Sequence, residues 1–175
     1  MYREVESDIN LATVLLNLSG VYSMLGAFEK SNSLLEEAKT IHENMSNKSS
    51  LGLVLGNLGY NYSHMGDEQK AIALSKRSLR IFQETGNRLS EGIELAGMGS
   101  IFIKLSMWEK AEAFLVDAAD ILKTRHPSKW GEAVSMLARI RSMKGLHMDD
   151  ALEEAYTHAQ KRITCHVEFL FQRCF

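Results

Sequence analysis

The sequence has little of several features that define other protein classes. It holds one proline and two cysteines, Cys165 and Cys174, so a disulfide-stapled scaffold is excluded. Its first residues do not form the apolar core of a signal peptide, and no apolar run reaches the length of a membrane span. We therefore expect a cytoplasmic protein in a reducing compartment, with helices that proline rarely interrupts.

The sequence also lacks a large excess of either charge, because it has 20 basic and 22 acidic residues. This balance argues against binding to nucleic acid or to an anionic membrane through charge alone. Motifs for phosphate binding, zinc hydrolysis and Ser-His-Asp catalysis are absent. Cys165, His166 and Cys174 are fewer ligands than a structural zinc site uses. We expect no catalysis, no metal and no cofactor.

What the sequence does contain is a repeat. Residues 55–71 have relatives forty residues upstream and forty residues downstream. Leu18, Leu58 and Met98 share this spacing, as do Gly26 and Gly66. Self-similarity at a fixed period predicts a solenoid, in which each unit buries its apolar face by stacking on its neighbours.

The middle copy carries a recognisable pattern in Leu58, Gly59, Tyr62, Gly66 and Ala71. This pattern resembles the tetratricopeptide repeat (TPR). The third copy departs from it at position 106, where serine replaces the turn glycine. The resemblance implies an all-α fold, a right-handed α-solenoid of about four TPR helix-turn-helix hairpins. We predict a single TPR domain over residues 1–175, with repeats at about 9–46, 50–86, 89–125 and 130–165 and an apolar C-terminal tail at 166–175.

Local signals predict where individual helices begin and end. Asp8 and Asp67 are candidate N-caps, and Gly86 is a candidate helix stop. The polar run at 46–50 predicts a linker, and Pro127 predicts a break before a helix that starts at about residue 130. Ile9, Ala12, Leu15, Leu16 and Leu18 are predicted inner positions of the first helix. Glycines inside the predicted helices are expected to permit close packing, namely Gly56, Gly59, Gly97 and Gly99.

In the TPR resemblance, the first helix of each hairpin faces the concave side of the array. Asn17 and Asn57 precede the signature leucine in the first two copies. Repeats of this kind resemble those of kinesin light chains, LGN-type adaptors and bacterial Rap-type regulators, where that asparagine binds the backbone of an extended peptide. A carboxamide supplies the donor and the acceptor that one peptide unit needs. Bonding of these asparagines within the groove or to water is the alternative.

Other polar residues fall on the same predicted face. The basic members, His64, Lys104 and Arg139, would attract an acidic ligand segment, although solvated helix faces carry such groups too. The complete predicted set on this face, besides the two asparagines, is Ser23, Tyr60, Ser63, His64, Ser100, Lys104, Arg139 and Ser142.

These patterns favour a non-enzymatic scaffold or adaptor that binds a peptide or partner segment in the concave groove. The absence of a distinct helix start favours a piece of a longer protein, so a regulatory sensor module of a signalling protein is one alternative. An enzyme or its structural arm is another. Self-association is a third, through an apolar tail that would dock on the first hairpin of another chain: Val167, Phe169, Leu170, Phe171 and Phe175.

Overall fold

The structure, a computed structural model, describes residues 2–144 and residue 157, with side chains from Ser7 onward. Every regular element in this part of the chain is an α-helix. The helices are α1 (Tyr2–Met24), α2 (Phe28–Asn44), α3 (Lys48–Met65), α4 (Glu68–Thr85), α5 (Arg88–Lys104), α6 (Trp108–Arg125) and α7 (Pro127–Met143). The first three hairpins are therefore α1–α2, α3–α4 and α5–α6.

The turns inside these hairpins share one backbone geometry. Gly26, Gly66 and Ser106 occupy equivalent positions and have φ of 73°, 85° and 55°. Glycine adopts this left-handed conformation without strain because it has no β-carbon. Ser106 keeps the same geometry in the third hairpin, so that turn is preserved although its glycine is missing.

Two predicted helix starts are wrong. The first helix begins at Tyr2, so Asp8 lies inside α1 and is not its N-cap. The third helix begins at Lys48, so the linker predicted at 46–50 is shorter and lies at residues 45–47. Asn47 caps α3, because its side chain accepts a hydrogen bond from the Ser50 backbone N–H at 3.3 Å.

Helix α7 also begins earlier than predicted, at Pro127 itself. Proline is favoured in the first helical turn because its missing N–H would have no partner there. His126 caps the helix, since its Nδ1 accepts a hydrogen bond from the Lys129 N–H at 3.3 Å. The predicted cap of α4 is confirmed, because Asp67 accepts from the Lys70 N–H at 3.1 Å. Gly86 ends α4 in the left-handed conformation, as predicted.

The chain divides into two compact units, residues 1–97 and residues 98–175. In the first unit, one apolar cluster joins α1, α2 and α3. Its buried members are Leu15, Leu35, Ala38, Val54 and Leu58. In the described part of the second unit, Leu115, Leu122 and Leu137 are buried, and the rings of Phe102 and Phe114 stack with centroids 5.3 Å apart.

Glycine brings the two helices of the second hairpin close together. A β-carbon added at Gly59 would lie 2.7 Å from Ser75 Oγ and 3.2 Å from the Ala71 carbonyl oxygen. Gly56 and Gly99 are equally crowded, so the expectation of close packing is correct at these three positions. It is wrong at Gly97, where an added β-carbon would meet open space.

Candidate functional site

One face of α3 carries an exposed row of side chains. Leu53, Asn57, Tyr60 and His64 follow one another at helical spacing, and all are exposed. We call these four residues the α3 stripe. The opposite face of α3 is buried, and Gly52, Leu55 and Gly59 lie on it. The predicted groove residues Asn57, Tyr60 and His64 thus lie on the accessible face of this helix.

Aromatic rings gather at the C-terminal end of the α3 stripe. The His64 ring stacks on Phe28 of α2, with centroids 5.2 Å apart and planes 19° apart. The His64 ring also contacts Tyr60, with ring centroids 4.3 Å apart and planes tilted by 49°. Aromatic pairs at these separations stabilise a fold by more than the burial of their apolar area alone. His64 thus has a packing role in addition to its exposure.

Three further predicted site residues are exposed on other helices. Asn17 lies on α1 at the position that Asn57 occupies on α3. Lys104 is the last residue of α5, and Arg139 lies on α7, both within the second unit. The structure therefore brings Asn57, Tyr60 and His64 together on one helix, with Asn17 in the same unit.

Behind the α3 stripe lies a buried amide that the sequence did not single out. Asn61 is fully enclosed, with 1% of its surface exposed. Its Oδ1 accepts a hydrogen bond from Ser23 Oγ at 2.6 Å. Its Nδ2 donates to Ser31 Oγ and to Asn32 Oδ1, both at 2.8 Å. Both amide protons and the carbonyl oxygen of Asn61 are thereby satisfied by α1 and α2.

This network corrects two predicted groove residues. Ser23 is half-buried and uses its hydroxyl on Asn61, so it belongs to the interior. Ser63 is also buried, with 6% of its surface exposed, and does not lie on the accessible face. The missed signal was the repeat itself: Asn61 replaces an apolar residue, because the equivalent positions hold Val21 and Ile101.

A buried carboxyl group lies on the other side of α3. Glu94 of α5 has 9% of its surface exposed. Ser78 Oγ lies 3.2 Å from Glu94 Oε2, and Ser75 forms a second hydrogen bond to the carboxyl group. Burial raises the pKa of Glu94 to about 7, against the opposing effect of the two serine hydrogen bonds. A β-carbon on Gly56 would overlap Oε2, so the absence of a side chain there makes the room for this group.

The outer face of α1 is apolar and uncovered within the described residues. Leu11, Val14, Leu18, Val21 and Leu25 form this outer stripe, and between 41% and 74% of each is exposed. The equivalent residues Val54, Leu58 and Asn61 on α3 are buried, because α2 packs against them. Of the predicted inner positions of α1, Ala12 and Leu15 are buried, but Ile9 and Leu18 are exposed.

Charged groups join α6 and α7 in the second unit. Arg141 Nε and Lys144 Nζ each lie 2.9 Å from a different oxygen of Glu112. The hydrogen bond from Lys144 is the largest influence that lowers the pKa of Glu112 below its usual value, and Arg141 adds to it. The described residues contain no group of three or more potential metal ligands. Cys165, His166 and Cys174 lie outside them.

With the helices and their faces defined, the chain can be compared with known proteins. Two family models, each described as tetratricopeptide repeat, match residues 11–50 and residues 50–124. The chain belongs to the tetratricopeptide repeat family. Together, the two TPR matches cover well over half of its length. No curated protein sequence matches this TPR chain.

Solved structures of other proteins share the fold. BtubC (BKLC) from P. vanneervenii is similar over 92% of this chain, with a TM-score of 0.73 and 16% identity. This chain spans 66% of that protein. A putative kinesin light chain from Podosopora anserina with nearly identical TPR-like repeats gives a TM-score of 0.58 and 16% identity, with 89% and 88% of the two chains covered. The predicted all-α fold of TPR helical hairpins is confirmed.

Between residues 2 and 144, none of the helices has both the length and the apolar character that crossing a membrane requires.

Proposed function

We propose that this TPR chain is a non-enzymatic scaffold or adaptor that binds an extended peptide or partner segment. The observation that carries the proposal is the α3 stripe, in which an exposed carboxamide lies between Leu53 and Tyr60. Asn57 would pair with one peptide unit of the ligand. Leu53 and Tyr60 would contact its side chains. TPR family membership supports the proposal, because such repeats generally mediate protein interactions.

The predicted basic residues extend the proposal toward acidic segments. Lys104 and Arg139 are exposed on first helices of later hairpins, and His64 ends the α3 stripe. A guanidinium group pairs with a carboxylate through two hydrogen bonds. We propose that the ligand segment carries acidic residues, and that binding takes place in the cytoplasm, where the two cysteines would stay reduced.

The decisive test uses a displayed library of random peptides. Peptides selected on the wild-type chain are measured against Asn57→Ala and against Asn44→Ala, a matched control at an exposed asparagine that ends α2. Loss of one hydrogen bond removes about 0.5–1.5 kcal/mol, so Kd should rise about two- to tenfold for Asn57→Ala alone. Both variants should unfold at the wild-type denaturant concentration. Equal Kd values for the two variants would move the binding site away from the α3 stripe.

A second candidate function is self-association, favoured by the exposed outer stripe of α1. On α3 the equivalent residues Val54, Leu58 and Asn61 are buried under α2, so this part of the α1 stripe has the chemistry of an interface inside the array. We propose that the apolar tail of a second copy covers it, through Val167, Phe169 and Phe171. These residues lie outside the described part of the chain. Burial of an apolar stripe on both partners would supply the driving force.

A further inference from the structure

The packing between successive hairpins changes its chemistry once along the described chain. Between the first and second hairpins, Leu16, Leu35, Ala38 and Val54 belong to one apolar cluster. Forty residues later, the equivalent residues are Gly56, Ser75, Ser78 and Glu94. Forty residues later again, positions 96, 115, 118 and 134 hold alanine, leucine, alanine and valine. The four substitutions in the middle set therefore occur together and replace a purely apolar group with a polar one.

These four residues form a compartment that fits a carboxyl group, and we call it the Glu94 pocket. Gly56 opens the space on α3, while Ser75 and Ser78 of α4 face it with their hydroxyls. Both serines are buried, with at most 2% of their surface exposed. A valine at position 94 would leave those hydroxyls opposite an apolar side chain, so the pocket matches the carboxyl group specifically.

The hydrogen bonds in this pocket only partly offset the cost of burying a charged carboxyl group. Ser78 has one hydroxyl proton, and its Oγ lies 2.8 Å from the Gly52 carbonyl oxygen but 3.2 Å from Glu94 Oε2. The single proton of Ser78 is therefore shared between two acceptors, and its hydrogen bond to Glu94 is the longer of the two. The serine hydrogen bonds favour the carboxylate but do not outweigh burial, which favours the neutral carboxyl group.

Among the described residues around Glu94, no positively charged side chain pairs with its carboxyl group. On α3 the pocket is lined by glycine, and on α4 by the two serines. The cations of α4 near this level, Lys76, Arg77 and Arg80, are on exposed positions. On α5 itself, Glu91 is buried one turn earlier and pairs with Arg88 at 2.7 Å. A carboxylate at position 94 would therefore be buried without a cation.

We propose that Glu94 is a protonation-controlled joint, in which the neutral carboxyl group keeps residues 88–97 of α5 docked on α3 and α4. Ionisation weakens this docking, because the carboxylate gains hydration when the segment opens. The proposal is independent of peptide binding to the α3 stripe. It predicts a local opening that becomes more frequent as pH rises toward neutrality.

Amide hydrogen exchange of the intact chain tests this joint. After correction for the intrinsic pH dependence of exchange, the opening constant of residues 88–97 should rise by up to about tenfold per pH unit between pH 5 and about 7, then level off. Glu94→Gln keeps a neutral hydrogen-bonding group and should abolish this rise. Glu91→Gln, one turn away, should retain it.

Two outcomes would overturn the proposal. One is a pH-independent opening constant in the wild type, and the other is an unchanged rise in Glu94→Gln. NMR titration of the Glu94 side-chain carboxyl carbon gives a second measurement that needs no variant to fold. Its midpoint should lie near 7, well above the usual value of 4.5, and a midpoint at the usual value would contradict a neutral carboxyl group in the pocket.

Discussion

Single residues in this protein owe their roles to small departures from the repeat. Asn61 replaces an apolar residue and is then satisfied by Ser23, Ser31 and Asn32. A buried polar group stabilises a fold when all its hydrogen bonds are made, and destabilises it when a partner is lost. The same asparagine is thus both a structural requirement and a point of sensitivity.

Replacement of Asn61 by alanine should destabilise the chain by about 1–3 kcal/mol, because buried partners are left unpaired. Equilibrium unfolding in urea measures the change. Asn57→Ala is the matched control, since it removes the same group four residues earlier from an exposed position. Equal stability of the two variants would show that the Asn61 network contributes little.

The exposure of some of these residues is predictable from the sequence, and that of others is not. The TPR resemblance predicts an accessible face that includes Asn57 and Tyr60, and both are exposed. It predicts the same face for Ser23 and Ser63, which are half-buried and buried. Spacing alone does not reveal that a polar side chain has a buried partner on another helix, so Asn61 and Glu94 were not found.

At the scale of helices, the residues that recur in each repeat are predictable from the sequence, whereas the first residues of the helices are less so. Gly66, Asp67 and Gly86 have local conformational roles that do not depend on distant contacts, and all three predictions are correct. The predictions for Asp8 and Pro127 are wrong because aspartate also occurs inside helices and proline also occupies the first helical turn. The exposure of Leu18 depends on what covers α1, which no local pattern encodes.

The exposed outer stripe of α1 leads to a prediction about self-association. If a second copy covers it, light scattering should give a mass above that of one chain. Val21→Glu on α1 and Phe171→Ser in the tail should each lower that mass, because a charge or a polar group weakens an apolar contact. Val116→Glu, on an exposed position of α6, is the control and should not. A mass of one chain for the wild type at every concentration tested would contradict self-association.

For the whole molecule, two buried groups make stability depend on pH in opposite directions. Burial lowers the pKa of His42, whose Nδ1 has no hydrogen-bond partner, and raises that of Glu94 to about 7. The stabilising effect of neutral Glu94 is complete below 4.5 and is lost as pH rises to about 7. That of neutral His42 is complete above 6.5 and is lost as pH falls.

In the pH range just below 6.5 the contribution of His42 opposes that of Glu94 in the wild type. In Glu94→Gln only the His42 contribution remains, so the free energy of unfolding should rise with pH. In His42→Phe only the Glu94 contribution remains, so the free energy of unfolding should fall with pH. Each slope should reach at most about 1.4 kcal/mol per pH unit. Phenylalanine occupies the equivalent buried position 82, so the second variant fits the fold. Urea unfolding across this range measures both slopes, and parallel slopes in the two variants would refute the assignment.

The Glu94 pocket also bears on how the repeats find their neighbours during folding. Arrays of similar units risk misassembly, because one hairpin can stack on the wrong partner. If α2 packed on α5, Leu35 and Ala38 would face the Glu94 carboxyl group without a hydroxyl. If α4 packed on a surface made for α2, Ser75 and Ser78 would face the methyl groups of Val54. Each wrong pairing buries unsatisfied polar atoms, so the order of the hairpins is enforced by chemistry as well as by the connectivity of the chain.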